Sequence, residues 1–298
     1  MSVFVGLDCG GSSSRVLAID EIGNILFQGQ SGAANLVSTP EARLKRNLAN
    51  ATRGCDAADF VCGCFAGLLG DETRTLAIQL LEQIFPGAMV RAEPDYTAAF
   101  YSCPQNTDVC VIAGTGSLVC SKKDNRIVKS GGRGYLLGDE GSGYHYGRDA
   151  LVHFLNFPHQ SSTALVNMID EVFGSREESR IISAVYKNGT SGQMLARFAK
   201  VLGMDANAND SYALESIERN GTALSGVVRD HVKRYLEPKP TLNVCLAGGI
   251  WKAAPIFKNR FEELLSQQMP DRTINVTRIT KPPLQGALEL AKELQIGN

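Results

Sequence analysis

The stretch Val3–Asp20 has the sequence VFVGLDCGGSSSRVLAID, and the rest of the chain is interpreted from it. Two short apolar runs, residues 3–7 and 16–19, flank a polar loop, and short β-branched runs of this kind are typical of buried strands. Gly10 and Gly11 allow a sharp turn that brings backbone N–H groups close to a ligand. The stretch therefore predicts a strand–loop–strand unit that binds phosphate, with an ordinary hairpin turn as the alternative.

The side chains of this loop suit the same ligand. Ser12, Ser13 and Ser14 offer hydroxyl donors, and Arg15 adds a fixed positive charge. Asp8 stands at the end of the first predicted strand, where a carboxylate suits the hydrated Mg²⁺ that accompanies a nucleotide. The loop is therefore a candidate nucleotide site.

Composition places the chain among ordinary globular proteins. It has 298 residues, enough for two domains, with 44% hydrophobic and 20% charged residues. The formal net charge is −1, from 30 basic and 31 acidic residues without a basic block, which argues against nucleic acid and anionic membranes as partners. We see no signal peptide and no apolar run near the ~18 residues of a membrane span, so we expect a cytoplasmic protein.

The cysteines do not indicate a metal site. Most of the eight lie within apolar runs, as reduced core residues do. Cys62 and Cys64 are predicted to share one face of a strand, but a zinc site needs more ligands, and the four histidines do not cluster with them. No protein zinc or iron–sulfur site is predicted.

The order of predicted elements repeats. The first half has strands at residues 3–7, 16–19, 25–27, 60–64 and 88–92, and helices at 40–51, 72–84 and from 96 to about 103. The second half has strands at 109–113, 118–121, 127–130, 242–247 and 274–278, and helices at 143–154, 162–173, 177–187, 192–202, 213–236, 255–268 and 284–294. Each half begins with three strands and continues with alternating helices and strands, with extra helices in the second, so we predict a duplicated α/β fold. The polar stretch 104–108 is the predicted boundary, between lobes at 1–106 and 107–283, with 284–298 packing back on the first.

A second glycine loop opens the second half. Gly114-Thr115-Gly116-Ser117 lies between two predicted strands, and its N–H groups and hydroxyls suit phosphate oxygens. Two such loops, one per half, can hold a polyphosphate across a cleft. A plain hairpin turn is again the alternative.

The densest signal is residues 131–143, GGRGYLLGDEGSG. Six glycines in this segment indicate close backbone approach or positive φ. Asp139 and Glu140 lie just before a predicted helix, so a carboxylate here either accepts hydrogen bonds from a polyol or caps the helix.

Asp95 is the candidate for chemistry. It follows a strand and precedes a helix, where α/β sheets place ligand groups. Its carboxylate can accept the proton of a sugar hydroxyl that attacks a γ-phosphorus, or it can cap the helix. Asn35, Ala66 and Gly67 are loop residues that could line the same cleft.

Two further features lie near the last strands. Gly248 and Gly249 follow the strand at 242–247, where a flat base could lie against bare backbone, or they form an ordinary strand-to-helix turn. Trp251, the only tryptophan, is predicted to be a core residue.

These motifs together carry a family resemblance. DCGGSSSR at residues 8–15 resembles the first phosphate motif of the superfamily that contains actin, hexokinase and the heat-shock-chaperone ATPases. GTGS at 114–117 resembles its second phosphate motif, and LAGG at 246–249 its adenosine motif. The segment at 131–143, with GDEGSG, is similar to the branch that contains N-acetylglucosamine kinase, glucosamine kinase and the ATPase activators of 2-hydroxyacyl-CoA dehydratases.

The resemblance implies a duplicated ribonuclease-H-like (actin-like ATPase) fold, two lobes around a nucleotide and sugar cleft, and usually a homodimer. It implies ATP- and Mg²⁺-dependent phosphorylation of N-acetylglucosamine or glucosamine at the 6-hydroxyl, with Asp95 as the base and Asp8 near hydrated Mg²⁺. The implied ATP and Mg²⁺ ligands are Asp8, Gly10, Gly11, Ser12, Ser13, Arg15, Gly114, Thr115, Gly116, Gly248 and Gly249. The implied sugar ligands are Asn35, Ala66, Gly67, Asp95, Gly132, Asp139 and Gly143.

Three residues depart from the family pattern. Cys9 replaces a usual glycine and Ser12 a usual threonine, which are chemically mild changes. Arg133 stands where the eukaryotic N-acetylglucosamine kinases carry tryptophan. This leaves open whether the sugar is N-acetylated or a free amine.

Two other classes of function were compared with a kinase. A dehydratase activator holds an iron–sulfur cluster with cysteines near helix ends, and residues 131–143 contain no cysteine. A sugar-sensing repressor needs an added DNA-binding segment, for which we expect no room before the first strand. The sequence therefore favours a hexosamine kinase, with an activator ATPase as the alternative.

Overall fold

The computed structural model describes residues 2–187 and 191–296. The chain divides into two compact units. Unit 1 contains the described residues up to Gln105 and from Ile279 onward, and unit 2 is Asn106–Arg278. Each unit has its own five-stranded sheet.

Unit 1 begins with three strands and continues with alternating helices and strands. Its elements, apart from the C-terminal helix, are β1 Phe4–Cys9, β2 Ser13–Ile19, β3 Ile25–Gly32, α1 Glu41–Ala51, β4 Phe60–Phe65, α2 Asp71–Ile84, β5 Met89–Pro94 and α3 Asp95–Tyr101. The strand order is β3-β2-β1-β4-β5, with β1, β2 and β3 antiparallel and β1, β4 and β5 parallel. The carboxyl ends of β1, β4 and β5 therefore lie at one edge of the sheet.

Unit 2 repeats this arrangement with additional helices. Its elements are β6 Val109–Ala113, β7 Ser117–Lys123, β8 Arg126–Gly131, α4 Gly143–Asn156, α5 Thr163–Phe173, α6 Glu178–Lys187, α7 Ser191–Ala196, α8 Ala199–Asn207, α9 Ser211–Tyr235, β9 Thr241–Ala247, α10 Ile250–Ala253, α11 Pro255–Gln268 and β10 Thr273–Arg278. The strand order, β8-β7-β6-β9-β10, is that of unit 1 element for element. The predicted duplicated α/β fold is therefore confirmed.

Alternate residues of β1 contribute to two cores, because successive side chains of a strand point to opposite faces. Val5, Leu7 and Cys9 pack with buried residues of α1 and α2. Phe4 packs on the other face, in a cluster with Cys64 and other buried residues. Asp8 lies on the same face of β1 as Phe4, near the carboxyl end of the strand.

The C-terminal helix, α12 Pro283–Ile296, completes unit 1. It packs against β1 so closely that a β-carbon on Gly6 would lie 2.7 Å from the backbone nitrogen of Leu288. A β-carbon on Gly286 would lie 2.0 Å from the carbonyl oxygen of Ala98 in α3. Ser102 joins the same two helices, because its hydroxyl donates to the carbonyl of Pro282 (3.0 Å) and accepts from the N–H of Gly286 (3.1 Å).

Some predicted elements differ from the observed ones. The helix predicted at residues 192–202 is two helices, α7 and α8, separated by a turn in which Phe198 is fully buried. β3 extends to Gly32, and α10 was not predicted. β5 extends to Pro94. A proline is tolerated there because β5 is an edge strand, where a residue without an N–H can be accommodated.

Candidate active site

The first glycine loop joins β1 to β2 by a tight turn in unit 1. The N–H of Gly10 donates to the carbonyl of Ser13 at 2.9 Å, and the carbonyl of Gly10 accepts from Ala34 at 3.0 Å. Gly11 and Ser12 are exposed at the tip. The turn therefore fixes the base of the loop and presents its tip to a ligand.

Asp8 and Arg15 are directly opposite each other in the β1–β2 ladder, so their side chains share one face. Burial raises the pKa of Asp8 to about 6; the nearby Asp95 also raises it and Arg15 lowers it. The structure therefore brings three predicted site residues together, with two carboxylates near enough to repel each other.

Asp95 follows β5 directly and is the first residue of α3. The N-cap position belongs to Pro94, and no side chain caps the helix there. The Oδ1 atom of Asp95 accepts the N–H of Tyr96 at 2.9 Å. Asp95 is thus not an N-cap as the alternative supposed, although one carboxylate oxygen does bond the first turn.

Asn35, Ala66 and Gly67 also come together in unit 1. The N–H of Leu36 donates to the carbonyl of Ala66 (3.0 Å), and a β-carbon on Gly67, at φ +78°, would lie 2.5 Å from Asn35 Oδ1. That oxygen accepts the N–H groups of Val37 (2.8 Å) and Ser38 (2.9 Å). The oxygen of Asn35 is therefore used to hold the loop, which leaves its NH₂ group as the donor for a ligand.

The second glycine loop joins β6 to β7 in unit 2. The N–H of Gly114 donates to the carbonyl of Gly116 at 2.8 Å. The first N–H groups of α4 bond this loop, from Gly143 to the carbonyl of Gly114 (2.7 Å) and from Tyr144 to that of Thr115 (3.2 Å). Gly143 is required here, because a β-carbon would lie 2.8 Å from the oxygen of Gly114.

Asp139 lies against the second glycine loop. A β-carbon on Gly116 would be 2.4 Å from Asp139 Oδ2, and Oδ1 accepts the N–H of Gly134 at 3.2 Å. Burial raises the pKa of Asp139, while the hydrogen bond from Gly134 lowers it. The N-cap of α4 is Ser142, and no side chain caps it, so the capping role considered for Asp139 or Glu140 is wrong.

The glycine-rich segment before α4 needs its glycines for backbone conformation. Gly131, Gly132, Gly134 and Gly141 all have positive φ. The N–H of Gly132 donates to the carbonyl of Ser117 (3.0 Å), and its own carbonyl accepts from Lys129 Nζ (3.4 Å). The carbonyl of Gly132 therefore already has one hydrogen-bond donor.

The predicted adenosine residues follow β9, beside the end of β6. Gly248 has φ +105°, and a β-carbon there would lie 2.2 Å from the carbonyl oxygen of Ala113. Gly249 has open space at its β-position and is the N-cap of α10. Trp251 is 3% exposed and packs on Phe261, which confirms that it is a core residue.

The predicted site residues thus form two sets. Unit 1 contains the first loop with Asp8, Arg15, Asn35, Ala66, Gly67 and Asp95; unit 2 contains the second loop with Gly132, Asp139, Gly143, Gly248 and Gly249. The sequence interpretation missed Thr39, a buried residue whose Oγ1 accepts the N–H of Asn35 at 3.1 Å. The spacing of an asparagine and a threonine four residues apart in one loop was the available signal.

The cysteines lie mostly within the sheets. Cys62 and Cys64 share a face as predicted, with their sulfurs 3.9 Å apart, and both are buried. Burial raises the pKa of the Cys9 thiol, which makes it a poor nucleophile. Among residues 2–187 and 191–296, no three His, Cys, Asp or Glu side chains form a metal-binding group. No helix in the same residues is both long and apolar enough to cross a membrane.

The fold belongs to the actin-like ATPase class. A ROK family glucokinase from Streptomyces griseus, solved with glucose and AMPPNP, has a TM-score of 0.61 at 18% identity, covering 98% of this chain and 100% of that one. A candidate N-acetylglucosamine kinase from Chromobacterium violaceum has a TM-score of 0.73 at 21% identity, covering 98% and 99%. At these identities the likeness concerns the fold alone.

Residues 5–291 match the BadF/BadG/BcrA/BcrD ATPase family, and the chain belongs to this family. It is 21% identical over 282 residues to the N-acetylmuramic acid/N-acetylglucosamine kinase of Clostridium acetobutylicum, which covers 91% of this chain and 92% of that protein. It is 23% identical over 312 residues to the N-acetyl-D-glucosamine kinase of Dictyostelium discoideum, covering 97% of each.

Proposed function

We propose that this protein is an ATP-dependent kinase that phosphorylates N-acetylglucosamine or glucosamine at the 6-hydroxyl. The observation that carries the proposal is the position of Asp95, which directly follows a parallel strand and raises the pKa of Asp8. The family membership supports ATP, and the names of the two relatives support an amino sugar as the acceptor.

We assign sugar binding to polar groups of both units, Asn35 in unit 1 and Asp139 in unit 2. Asn35 offers its NH₂ group to a sugar oxygen, because its own oxygen is committed to Val37 and Ser38. Asp139 offers a buried carboxylate whose oxygens accept hydroxyl protons. In unit 1, Ala66 and Gly67 supply backbone beside Asn35. In unit 2, the backbone of Gly132 and Gly143 is assigned to the sugar together with Asp139.

Phosphate binding is assigned to the two glycine loops. In the first, Gly10, Gly11, Ser12 and Ser13 present N–H and hydroxyl groups, and Arg15 adds a positive charge. In the second, the N–H groups and hydroxyls of residues 114–117 act in the same way, and Gly248 and Gly249 leave bare backbone for the adenosine. Oriented N–H groups of this kind stabilise phosphate without reorganising.

The residues present fit a hydrated Mg²⁺ ion. Asp8 offers carboxylate oxygens near the end of a strand, and its pKa is raised chiefly by burial and further by the nearby charge of Asp95, so a cation there would favour the ionised carboxylate. Mg²⁺ keeps several waters and takes one or two carboxylates together with substrate phosphates. When bound with ATP, the ion would neutralise charge on the β- and γ-phosphates, and Asp8 would hold it through water.

The chemical step is an in-line displacement. The oxygen of the sugar hydroxyl forms a bond to the γ-phosphorus as the bond from that phosphorus to the β–γ bridging oxygen breaks, and ADP leaves. Asp95 accepts the hydroxyl proton on its carboxylate. The products are an amino sugar phosphate and ADP. We further propose a homodimer, on the family resemblance, which light scattering of the purified protein tests.

Asp95→Asn tests the role of the base. Asparagine keeps an oxygen that can accept the N–H of Tyr96, so the start of α3 is preserved while the proton acceptor is lost. We expect kcat to fall by about two orders of magnitude or more, with sugar affinity within a few-fold of wild type. Phosphorus–proton correlation spectra of the wild-type product identify the phosphorylated hydroxyl.

Asp56→Asn is the matched control, since Asp56 is an exposed loop carboxylate of the same unit. It should leave kcat unchanged. Normal turnover in Asp95→Asn would show that Asp95 serves only the helix, and the proposed mechanism would be wrong.

A further inference from the structure

A cavity of about 280 Å³ lies in unit 2 between the end of β8, the segment at 131–143 and helix α9. Four ionic side chains line it, Arg133, Glu140, Asp230 and Arg234, together with Ser130 and Leu137. Asp139 is not part of its wall, although its neighbours Gly138 and Glu140 are. Neither the family nor the proposed kinase reaction assigns it a ligand.

The arginines of this cavity lack carboxylate partners. Among the residues that the structure describes, no Asp or Glu oxygen lies within 4.0 Å of a side-chain nitrogen of Arg133 or Arg234. Asp230 pairs instead with Arg229, at 2.8 Å. The lining therefore holds two arginines and two carboxylates, and one carboxylate already pairs with Arg229 outside the lining, so this group of five ionic side chains has one net positive charge.

Arg234 shares an aromatic ring with a second cation that does not line the cavity. Arg234 lies 5.2 Å from the centre of the Tyr235 ring, and Lys123 approaches the same ring at 6.0 Å. In the described part of the chain Lys123 likewise forms no ion pair within 4.0 Å. Each cation is attracted to the face of the ring, and an anion bound at Arg234 would offset the repulsion between the two positive charges.

The chemistry of the lining defines a class of ligand. Two guanidinium groups suit a phosphate, which they bind through paired hydrogen bonds. The carboxylate of Glu140 suits the hydroxyls of a sugar, and Leu137 offers an apolar surface to its carbon face. The volume is at the small end for ligand cavities, which limits the ligand to about the size of a monosaccharide.

We propose that this cavity binds a phosphorylated monosaccharide, with the phosphate at Arg133 and Arg234 and the sugar hydroxyls at Glu140. The main chain of Glu140 connects the cavity with the second glycine loop, since its carbonyl accepts the hydroxyl of Ser117 at 2.6 Å. The inference goes beyond the kinase reaction. It concerns binding alone, so it can be tested without measuring turnover.

Calorimetric titration of the full-length protein with glucosamine 6-phosphate, without nucleotide, tests the proposal. We expect Arg133→Ala and Arg234→Ala each to weaken binding by about tenfold or more. Arg180→Ala, at an exposed arginine on α6, is the charge-matched control and should bind as wild type. Both cavity arginines are exposed, so the variants should fold, which thermal melting verifies.

Two further arms identify the ligand and the place of binding. Inorganic phosphate should bind at least about tenfold more weakly than glucosamine 6-phosphate, because it cannot use Glu140. The titrations are repeated in Asn35→Ala, because glucosamine 6-phosphate is the product of the proposed reaction and can also bind the sugar site of unit 1. Binding that depends on Arg133 and Arg234 should persist in that variant. The proposal is overturned by unchanged affinity in both arginine variants, by equal affinity for inorganic phosphate, by loss of binding in Asn35→Ala, or by no binding at millimolar ligand.

Discussion

The carboxylate of Asp139 lies directly against the main chain of Gly116, so that a β-carbon on Gly116 would come within 2.4 Å of Oδ2. Asp139 is 6% exposed and has φ 64°, a conformation that few residues other than glycine adopt. This backbone conformation directs the carboxylate toward Gly116. The proposed sugar ligand and the second glycine loop are therefore in direct contact.

Gly116→Ala should displace Asp139. We expect KM for the sugar to rise by about tenfold or more, because the carboxylate must leave its place to admit a methyl group. Steady-state kinetics with the sugar varied at saturating ATP measure the effect. Gly70→Ala, whose β-position meets no atom within 4 Å, is the matched control and should not change KM. An unaltered sugar KM in Gly116→Ala would mean that Asp139 does not bind the sugar.

Asp8 should give nucleotide binding a pH dependence. Burial and the charge of Asp95 raise its pKa to about 6, so Asp8 takes up a proton as the pH falls through that value. Affinity for Mg-ATP should fall by about tenfold per pH unit well below 6, since only the carboxylate serves the hydrated ion. Calorimetric titrations from about pH 5 to about pH 8 measure this dependence.

Asp95→Asn should move the midpoint of this profile to lower pH, because it removes a charge that raises the pKa of Asp8. In Asp8→Asn the dependence should disappear. A nucleotide-binding profile that Asp8→Asn leaves unchanged would assign the titration to another group.

The raised pKa of Asp8 also affects stability. The contribution of Asp8 to the free energy of unfolding falls as the pH rises from about 4 to about 6, so Asp8→Asn should be more stable than wild type above pH 6.

His231 should make unit 2 less stable in acid. Its ring lies between Ser130 (2.8 Å) and Ser121 (2.9 Å), and burial lowers its pKa from 6.5 to about 4. The unfolded chain therefore binds the proton more readily, and stability should be lost as the pH falls below 6.5, levelling off below about 4.

Urea unfolding at pH 7.5 and 5 measures this loss, and His231→Gln should show a smaller difference between the two. His159→Gln, at an exposed histidine, should keep the full difference of wild type. Equal pH sensitivity in His231→Gln and wild type would show that another group causes the acid loss.

Gly286 should be required for docking of α12. Its missing side chain lets α12 approach α3, because a β-carbon would lie 2.0 Å from the carbonyl oxygen of Ala98. Gly286→Ala should lower the free energy of unfolding by about 2 kcal/mol, the cost of forcing a methyl group into a packed contact. Urea unfolding measures this, with Gly226→Ala as the control, since that helical glycine has no atom within 3.7 Å of its β-position. Undiminished stability in Gly286→Ala would contradict the close packing.

The duplicated fold could be predicted because its markers are local. Gly10 and Gly114 each follow a short apolar strand, and the strand–loop–strand pattern is visible wherever it recurs. Similarly, the glycines of the segment at 131–143 indicated positive φ, which four of them have. Local conformation of this kind depends on neighbours in the sequence.

Other features depend on contacts between distant residues. The turn at Phe198 was predicted as helix because an apolar residue also continues a helical pattern. At the break, the N–H groups of Arg197 and Phe198 bond carbonyls three residues earlier, which the residue pattern does not show. Asp139 was weighed as a helix cap because sequence position cannot show that its backbone turns it toward Gly116. Thr39 was overlooked because its four-residue spacing from Asn35 was not considered, and only the folded loop shows the hydrogen bond between the two.

The central claim is tested most directly by ADP release from purified protein with Mg-ATP, in the presence of glucosamine, N-acetylglucosamine, glucose or no sugar. The account predicts strong stimulation by an amino sugar, weak release without sugar, and loss of the stimulation in Asp95→Asn. ATP hydrolysis that no sugar stimulates, above all from brown, iron-containing protein, would contradict it and favour an activator ATPase.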